Sequence, residues 1–123
     1  MHELSIAQAI VDEVVAVAAL QRSGDVEVVN VDVGALSGVE PDALGMVFPF
    51  ASGGTAIAGA SLKIRKVPAR VRCNSCRKKV RPDFPFLVCP TCGSDNVQVL
   101  SGRDMVIRSI EFGSNGGRQR HSK

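Results

Sequence analysis

Apolar residues in the N-terminal segment recur at three- and four-residue steps. Leu4, Ala7, Val11, Val14 or Val15, and Ala18 make a stripe that predicts an amphipathic helix over 3–22. Ser5 and Gln8 have the spacing of a capping box, and Ser23-Gly24 supplies the stop. The period then changes to two. Val29, Val31 and Val33 alternate with Asn30 and Asp32, which predicts a half-buried strand over 26–33. After a turn-rich stretch from Gly34 to Val39, Pro41 suits the first position of a shorter helix. Leu44 and Phe48 should point inward from it, and Pro49 should limit or kink it. Ser52-Gly53-Gly54 breaks the chain before a second strand, where Leu62 and Ile64 alternate with Lys63 and Arg65 up to Pro68.

The next regular pattern comes much later. Val97 to Leu100 reads as a short strand and Gly102 as a hinge. Met105 to Phe112 reads as a third main strand, with Val106, Ile110 and Phe112 on one side. The expected architecture is α+β: two helices packed on a small mixed three-stranded sheet, with the intervening segment inserted between two of its strands. Residues 1–68 and 102–113 then form one discontinuous domain and 69–101 a second. The polar tail, 114–123, is expected to be disordered.

The insertion holds all four cysteines, as Cys73-x2-Cys76 and, twelve residues on, Cys89-x2-Cys92. Paired two-residue spacings bring two sulfurs to one ion within a single turn, and two such pairs complete a tetrahedral thiolate shell, with zinc the first expectation. A structural zinc is favoured over a labile zinc, an iron–sulfur centre or two disulfides. Disulfides fit poorly because the N-terminus lacks a basic leader region and its apolar positions are interrupted by Glu3, Gln8, Asp12 and Glu13, which points to a reducing cytoplasm. A segment of this size with so few apolar residues needs its metal to fold. Four cysteines leave no open position for a catalytic water, and no nucleophile–base pair or phosphate-binding loop is present, so no enzyme is expected. No window is apolar enough for a membrane span.

The net charge of +3 is modest, but it is concentrated. Arg70, Arg72, Arg77, Lys78, Lys79 and Arg81 lie in or beside the first cysteine pair without an intervening acid. A zinc-ribbon adaptor that binds nucleic acid or an acidic protein through Arg70–Arg81 is therefore the competing reading. The absence of an aromatic in that run disfavours nucleic acid. Of the two histidines, His121 sits in the tail, whereas His2 adjoins the terminal amine of Met1. The amine, the backbone nitrogen of His2 and its imidazole can close adjoining chelate rings, a nitrogen set that suits Ni(II) or Cu(II). Glu3 offers a further backbone nitrogen or a carboxylate, and Glu40 and Asp42, from the loop after the first strand, are alternative carboxylates.

Taken together, these residues resemble the HypA family of hydrogenase nickel incorporation proteins. The resemblance begins with Met1-His2-Glu3-Leu4-Ser5 and continues through Gly34, Leu36, Ser37, Val39, Pro41, Leu44 and Phe48. It then takes in Gly54-Thr55, Gly59-Ala60, Leu62, both cysteine pairs with Cys89-Pro90-x-Cys92-Gly93-Ser94, Gly102, Ile107, Ile110 and Glu111. Asp104 stands where the family commonly has Glu, and Met46 where it often has Phe. The additional histidine that some members carry near the cysteine module is missing. The resemblance implies a cytoplasmic nickel metallochaperone whose first domain binds Ni2+ at the N-terminus. His2 is the essential side chain, with Glu3 and the Met1 amine as further ligands, while Cys73, Cys76, Cys89 and Cys92 hold structural Zn2+. It also implies a HypB-type GTPase and the [NiFe]-hydrogenase large-subunit precursor as partners, with urease maturation served in some organisms.

Overall fold

The computed structural model describes residues 2–21, 24–82 and 86–113, and the backbone of 119–122. Two sheets organise it. In the first, β1 (Val26–Gly34) lies between β2 (Ser61–Val67), with which it pairs in parallel, and β6 (Met105–Phe112), with which it pairs antiparallel. Parallel neighbours need a crossover, which α2 (Pro41–Ser52) supplies. The second sheet, in the order β4-β3-β5, is built from β3 (Arg70–Cys73), β4 (Lys79–Val80) and β5 (Val97–Ser101). It is inserted between β2 and β6, so the two-helix, mixed-sheet architecture with an inserted cysteine module is observed.

α1 (Glu3–Gln21) and α2 cover one face of the first sheet. The core joins Ala7, Ile10, Val11 and Val14 of α1 to Val29, Val31 and Val33 of β1, Leu44 and Phe48 of α2, and Ile110 and Phe112 of β6. Leu4, expected on the buried stripe, is exposed instead. The buried positions of α1 step through 3, 7, 10, 11 and 14, which places Glu3 on the inner face. The helix starts at Glu3, with the Ile6 amide donating to the His2 carbonyl, so Ser5 lies inside the first turn and does not cap it. α2 begins at Pro41 as expected and runs past Pro49 to Ser52.

The expectation that Val106 shares a face with Ile110 and Phe112 is also overturned. Asn30 pairs with Ser109 but Val31 with Ile107, so Arg108 is an extra residue in β6. That bulge shifts the alternation by one. Met105 and Ile107 therefore join the core ahead of it, Ile110 and Phe112 after it, and Val106 faces out. The outer face is polar. Asn30 donates to Ser109 Oγ (3.0 Å) and to Glu111 Oε2 (2.9 Å), while Asp32 accepts from Arg65 (2.7 Å) and Arg108 (3.0 Å).

The tail departs from its expected disorder. The backbone of β7 (Gln119–Ser122) pairs antiparallel with β6 from Phe112↔Gln119 to Ser109↔Ser122, making the sheet four-stranded; 114–118 and 123 lie outside the described residues. An open strand edge offers unpaired N–H and C=O groups to any backbone that can reach it.

At the junction of the two sheets the chain segments are nearly in contact. The amides of Gly34, Ala35 and Leu36 donate to the carbonyls of Asp104 (2.9 Å), Val67 (2.9 Å) and Gly102 (2.7 Å). A β-carbon on Gly34 would overlap the Gly102 carbonyl, and one on Gly102 would lie 2.7 Å from Ala69 Cα. Gly102 also has φ +93°. Gly102→Ala should therefore cost about 2–3 kcal/mol in urea unfolding, through strain and backbone overlap together. Gly54→Ala should cost only about 1 kcal/mol, since that position shares the positive φ but opens onto free space.

Burial alone would raise the Asp32 carboxyl, but hydrogen bonds from Arg65 and Arg108 outweigh it and hold the pKa below its usual value. A carboxyl lowered on folding stabilises the fold above its unfolded pKa, and that contribution is lost as pH falls through the carboxylate range. Asp32→Asn should thus cost on the order of 1 kcal/mol at neutral pH, both arginines being well exposed, and almost nothing near about pH 2. Urea unfolding at the two pH values measures the difference.

Candidate metal centre

The second sheet is too small to support a core of its own, and its two loops are organised instead around sulfur. Each cysteine pair makes the same turn. The Cys73 amide donates to the Lys78 carbonyl (2.9 Å) and the Arg77 amide to the Cys73 carbonyl (2.8 Å). In the second pair, Cys89 donates to Ser94 (2.8 Å) and Gly93 to Cys89 (2.8 Å). The fifth position of each turn is left-handed, with φ 65° at Arg77 and 78° at Gly93. Glycine is at ease there, whereas an arginine gives up roughly 1–2 kcal/mol. The two turns are tied together by Asn74 N to Asn96 O (2.9 Å) and by Ser75 Oγ to Ser94 Oγ (3.0 Å).

This arrangement brings the four sulfurs to within 4.8 Å of one another, with Cys73–Cys92 at 3.5 Å and Cys76–Cys89 at 3.8 Å. A tetrahedral ion with metal–sulfur bonds of about 2.3 Å requires sulfur separations of about 3.8 Å, so the cage fits one ion. Among the described residues it is the one cluster of potential metal ligands. Cys73 and Cys89 are buried, Cys76 half-buried and Cys92 exposed.

The electrostatics favour a cation. The Cys76 amide, 3.4 Å from the Cys73 sulfur, is the main cause that lowers the Cys73 thiol to about 6, against desolvation. The Cys92 amide similarly lowers Cys89. At Cys92 the Ser94 amide also favours the thiolate, but the sulfurs of Cys73, Cys89 and Cys76 together outweigh it and push the thiol to about 11. Each knuckle thus prepares a thiolate, and further ionisation is opposed by the negative charge already there until a metal neutralises it.

The other site residues gather at the opposite end of α1. His2 is exposed immediately ahead of the helix, and its side chain makes no hydrogen bond or ion pair among the described residues. Met1 lies outside the described residues. Glu3 is buried, and its Oε2 accepts from the Glu40 amide at 3.1 Å, the leading cause of its lowered pKa. The loop that carries Glu40 therefore comes to the start of α1, a proximity invisible in the sequence. That Glu3 joins two helix N-termini has no local signal, since in the sequence it reads as a candidate nickel ligand and an acidic residue of a first turn.

A small helix–sheet protein carrying a closed tetrathiolate module is a metal-binding protein without an open catalytic metal position. Comparison with known proteins specifies the class. Residues 1–112 match the family described as hydrogenase/urease nickel incorporation, metallochaperone, HypA, and the chain belongs to the HypA family, which is one of metallochaperones and not of enzymes. Hydrogenase maturation factor HypA of Chlorobium limicola is 42% identical over 110 residues, covering 89% of this chain and 95% of that protein. Its counterpart in Streptomyces avermitilis is 41% identical over 116 residues, covering 91% and 87%. The solution structure of the Ni metallochaperone HypA from Helicobacter pylori shares the fold, with TM-score 0.64 at 24% identity over 91% of this chain and 97% of that one. No helix among the described residues is long and apolar enough to cross a membrane.

Protein purified without chelator should carry about one thiolate-bound metal ion per chain. Cys73→Ser and Cys92→Ser should each lose it and loosen residues 70–101 in hydrogen exchange, while amides of α1 and β1 stay protected. Full metal retention in both variants would refute the assignment.

Proposed function

We propose that this chain is a cytoplasmic nickel carrier in hydrogenase maturation, holding zinc for structure and nickel for transfer. In this reading the four thiolates hold Zn2+, whose tetrahedral, redox-inert coordination suits a closed site. Residues 69–101 form the zinc domain, and 1–68 with 102–113 form the nickel domain. Ni2+ binds at the N-terminus through the Met1 amine, the backbone nitrogen and imidazole of His2, and a donor from Glu3. A HypB-type GTPase assists delivery to the [NiFe]-hydrogenase large-subunit precursor, with urease maturation as a second destination within the family's scope.

The observation that carries this reading is the uncommitted, exposed His2 at a helix start. The Glu3 carboxylate already accepts the Glu40 amide, so the Glu3 backbone nitrogen is the better donor. Amides of the first helical turn have no intrahelical acceptor, so deprotonating that nitrogen breaks no helix bond. Amine, two amides and imidazole then make a four-nitrogen plane suited to Ni(II). Its place in the outermost turn allows ligands to be exchanged with a partner one at a time, whereas a four-cysteine cage releases its ion only by opening.

Calorimetric Ni(II) titration of three proteins tests the site. The native chain should bind one equivalent; His2→Ala should bind none, with zinc content and thermal unfolding unchanged. A Gly-Ser extension ahead of Met1 should bind nearly as poorly, because the imidazole persists but the chelate does not. Affinity should fall with pH as protons compete for every nitrogen. Unchanged affinity in His2→Ala would remove the nickel site from the N-terminus.

A further inference from the structure

The positive charge between Arg70 and Arg81 is not scattered over the cysteine module. β3 and β4 pair antiparallel with Val71 opposite Val80 and Arg72 opposite Lys79. Val71 and Cys73 are buried and Val80 half-buried, so the alternation leaves Arg70, Arg72 and Lys79 on the exposed face of this sheet. Arg81, the next residue but one after Lys79, extends that face to the junction between the sheets. There it lines a cleft of about 480 Å³ together with Lys66, Val39, Pro41, Val67 and Pro68.

Like charges directly opposite one another across a strand pair are destabilising. Arg72 and Lys79 are such a pair, in a sheet too small to offset the cost by packing. None of Lys66, Arg70, Arg72, Lys79 and Arg81 makes an ion pair among the described residues, whereas Arg65 and Arg108 on the first sheet are both held by Asp32. A local conflict kept in an otherwise consistent fold points to a surface shaped for binding.

We infer that this cationic strip and the cleft at its end form a docking surface for an acidic, partly apolar peptide segment of a partner protein. The strip takes carboxylates at Arg72–Lys79 and Arg70. The cleft takes an apolar side chain between Val39, Pro41, Val67 and Pro68, with a neighbouring carboxylate at Lys66 and Arg81. A nucleic acid suits it less well, because the strip has no aromatic to stack a base. The site spans both modules, so an occupant would touch the loop whose Glu40 amide binds Glu3. It is independent of whether nickel is held at residues 1–3.

The test uses the full-length, metal-loaded chain and a fluorescein-labelled peptide of alternating leucine and glutamate, read by anisotropy. Binding should be measurable at low salt, weaken with added salt, and vanish for the peptide with glutamine in place of glutamate. Lys66→Glu and Arg81→Glu should each weaken it by about tenfold, chiefly through slower association. Lys63→Glu, an equal charge change on the exposed outer face of the first sheet, should leave it within about twofold. Arg72→Glu should weaken binding while raising Tm, because it replaces a repulsive cross-strand pair with an attractive one; metal content and Tm of every variant identify any that misfold. Equal losses in Lys63→Glu, no loss in Lys66→Glu and Arg81→Glu, a lower Tm in Arg72→Glu, or tighter binding of an oligothymidylate of equal charge would overturn the proposal.

Discussion

The two halves of this protein are held together by backbone, at a crossing where there is no room for side chains. Gly34 ends the central strand against the carbonyl of Gly102, and Gly102 lies against Pro68 and Ala69, where the chain enters the cysteine module. Three consecutive amides, from Gly34 to Leu36, are satisfied by carbonyls of the entering and leaving segments. Buried backbone groups must be paired, so the crossing sets the position of the module as firmly as side-chain packing would. It also anchors the loop after β1, which carries Glu40 back to the start of α1. The end of the helix–sheet unit proposed to carry nickel and the thiolate module are thereby attached to the same few residues.

Beyond that crossing the two modules are stabilised by different physics. The helix–sheet unit relies on apolar burial, with valines of β1 packed beneath α1 and α2. The module has Val71, Cys73 and Cys89 buried and little else, so its order depends on the charge balance among four sulfurs and an ion. This difference suits a metallochaperone. In the function proposed above, a caged metal would preserve the shape of the module while residues 1–3 load and unload a second ion. Glu3 connects the ideas: it sits on the buried stripe of α1, where an apolar residue would pack better, and spends its carboxylate on another helix's first amide. The N-terminal turn is thus clamped in place without using the imidazole beside it.

Much of this was legible in the chain itself, because the relevant signals are local. The change from helical to alternating spacing located α1 and β1; Pro41 located the start of α2; two short cysteine spacings located the metal cage; and the residues from Met1 to Ser5, with those around Gly34 to Leu44, carried the family resemblance. Each depends on neighbours within a turn or two. What tertiary structure decided depends on pairings between distant segments. The bulge at Arg108 placed Val106 outside the core, since a strand's alternation can be read from sequence but its interruption by a partner's register cannot. The rotation of α1 put Glu3 inside and Leu4 outside, because two neighbouring faces of that helix are almost equally apolar and only contact with the sheet distinguishes them. β7 arose where a polar segment met an open edge of β6. The run of basic residues was evident as composition, but only antiparallel pairing turned it into one face ending at Lys66. Local chemistry determined which elements form and which ion the cysteines suit; long-range backbone pairing decided which residues those elements bring together.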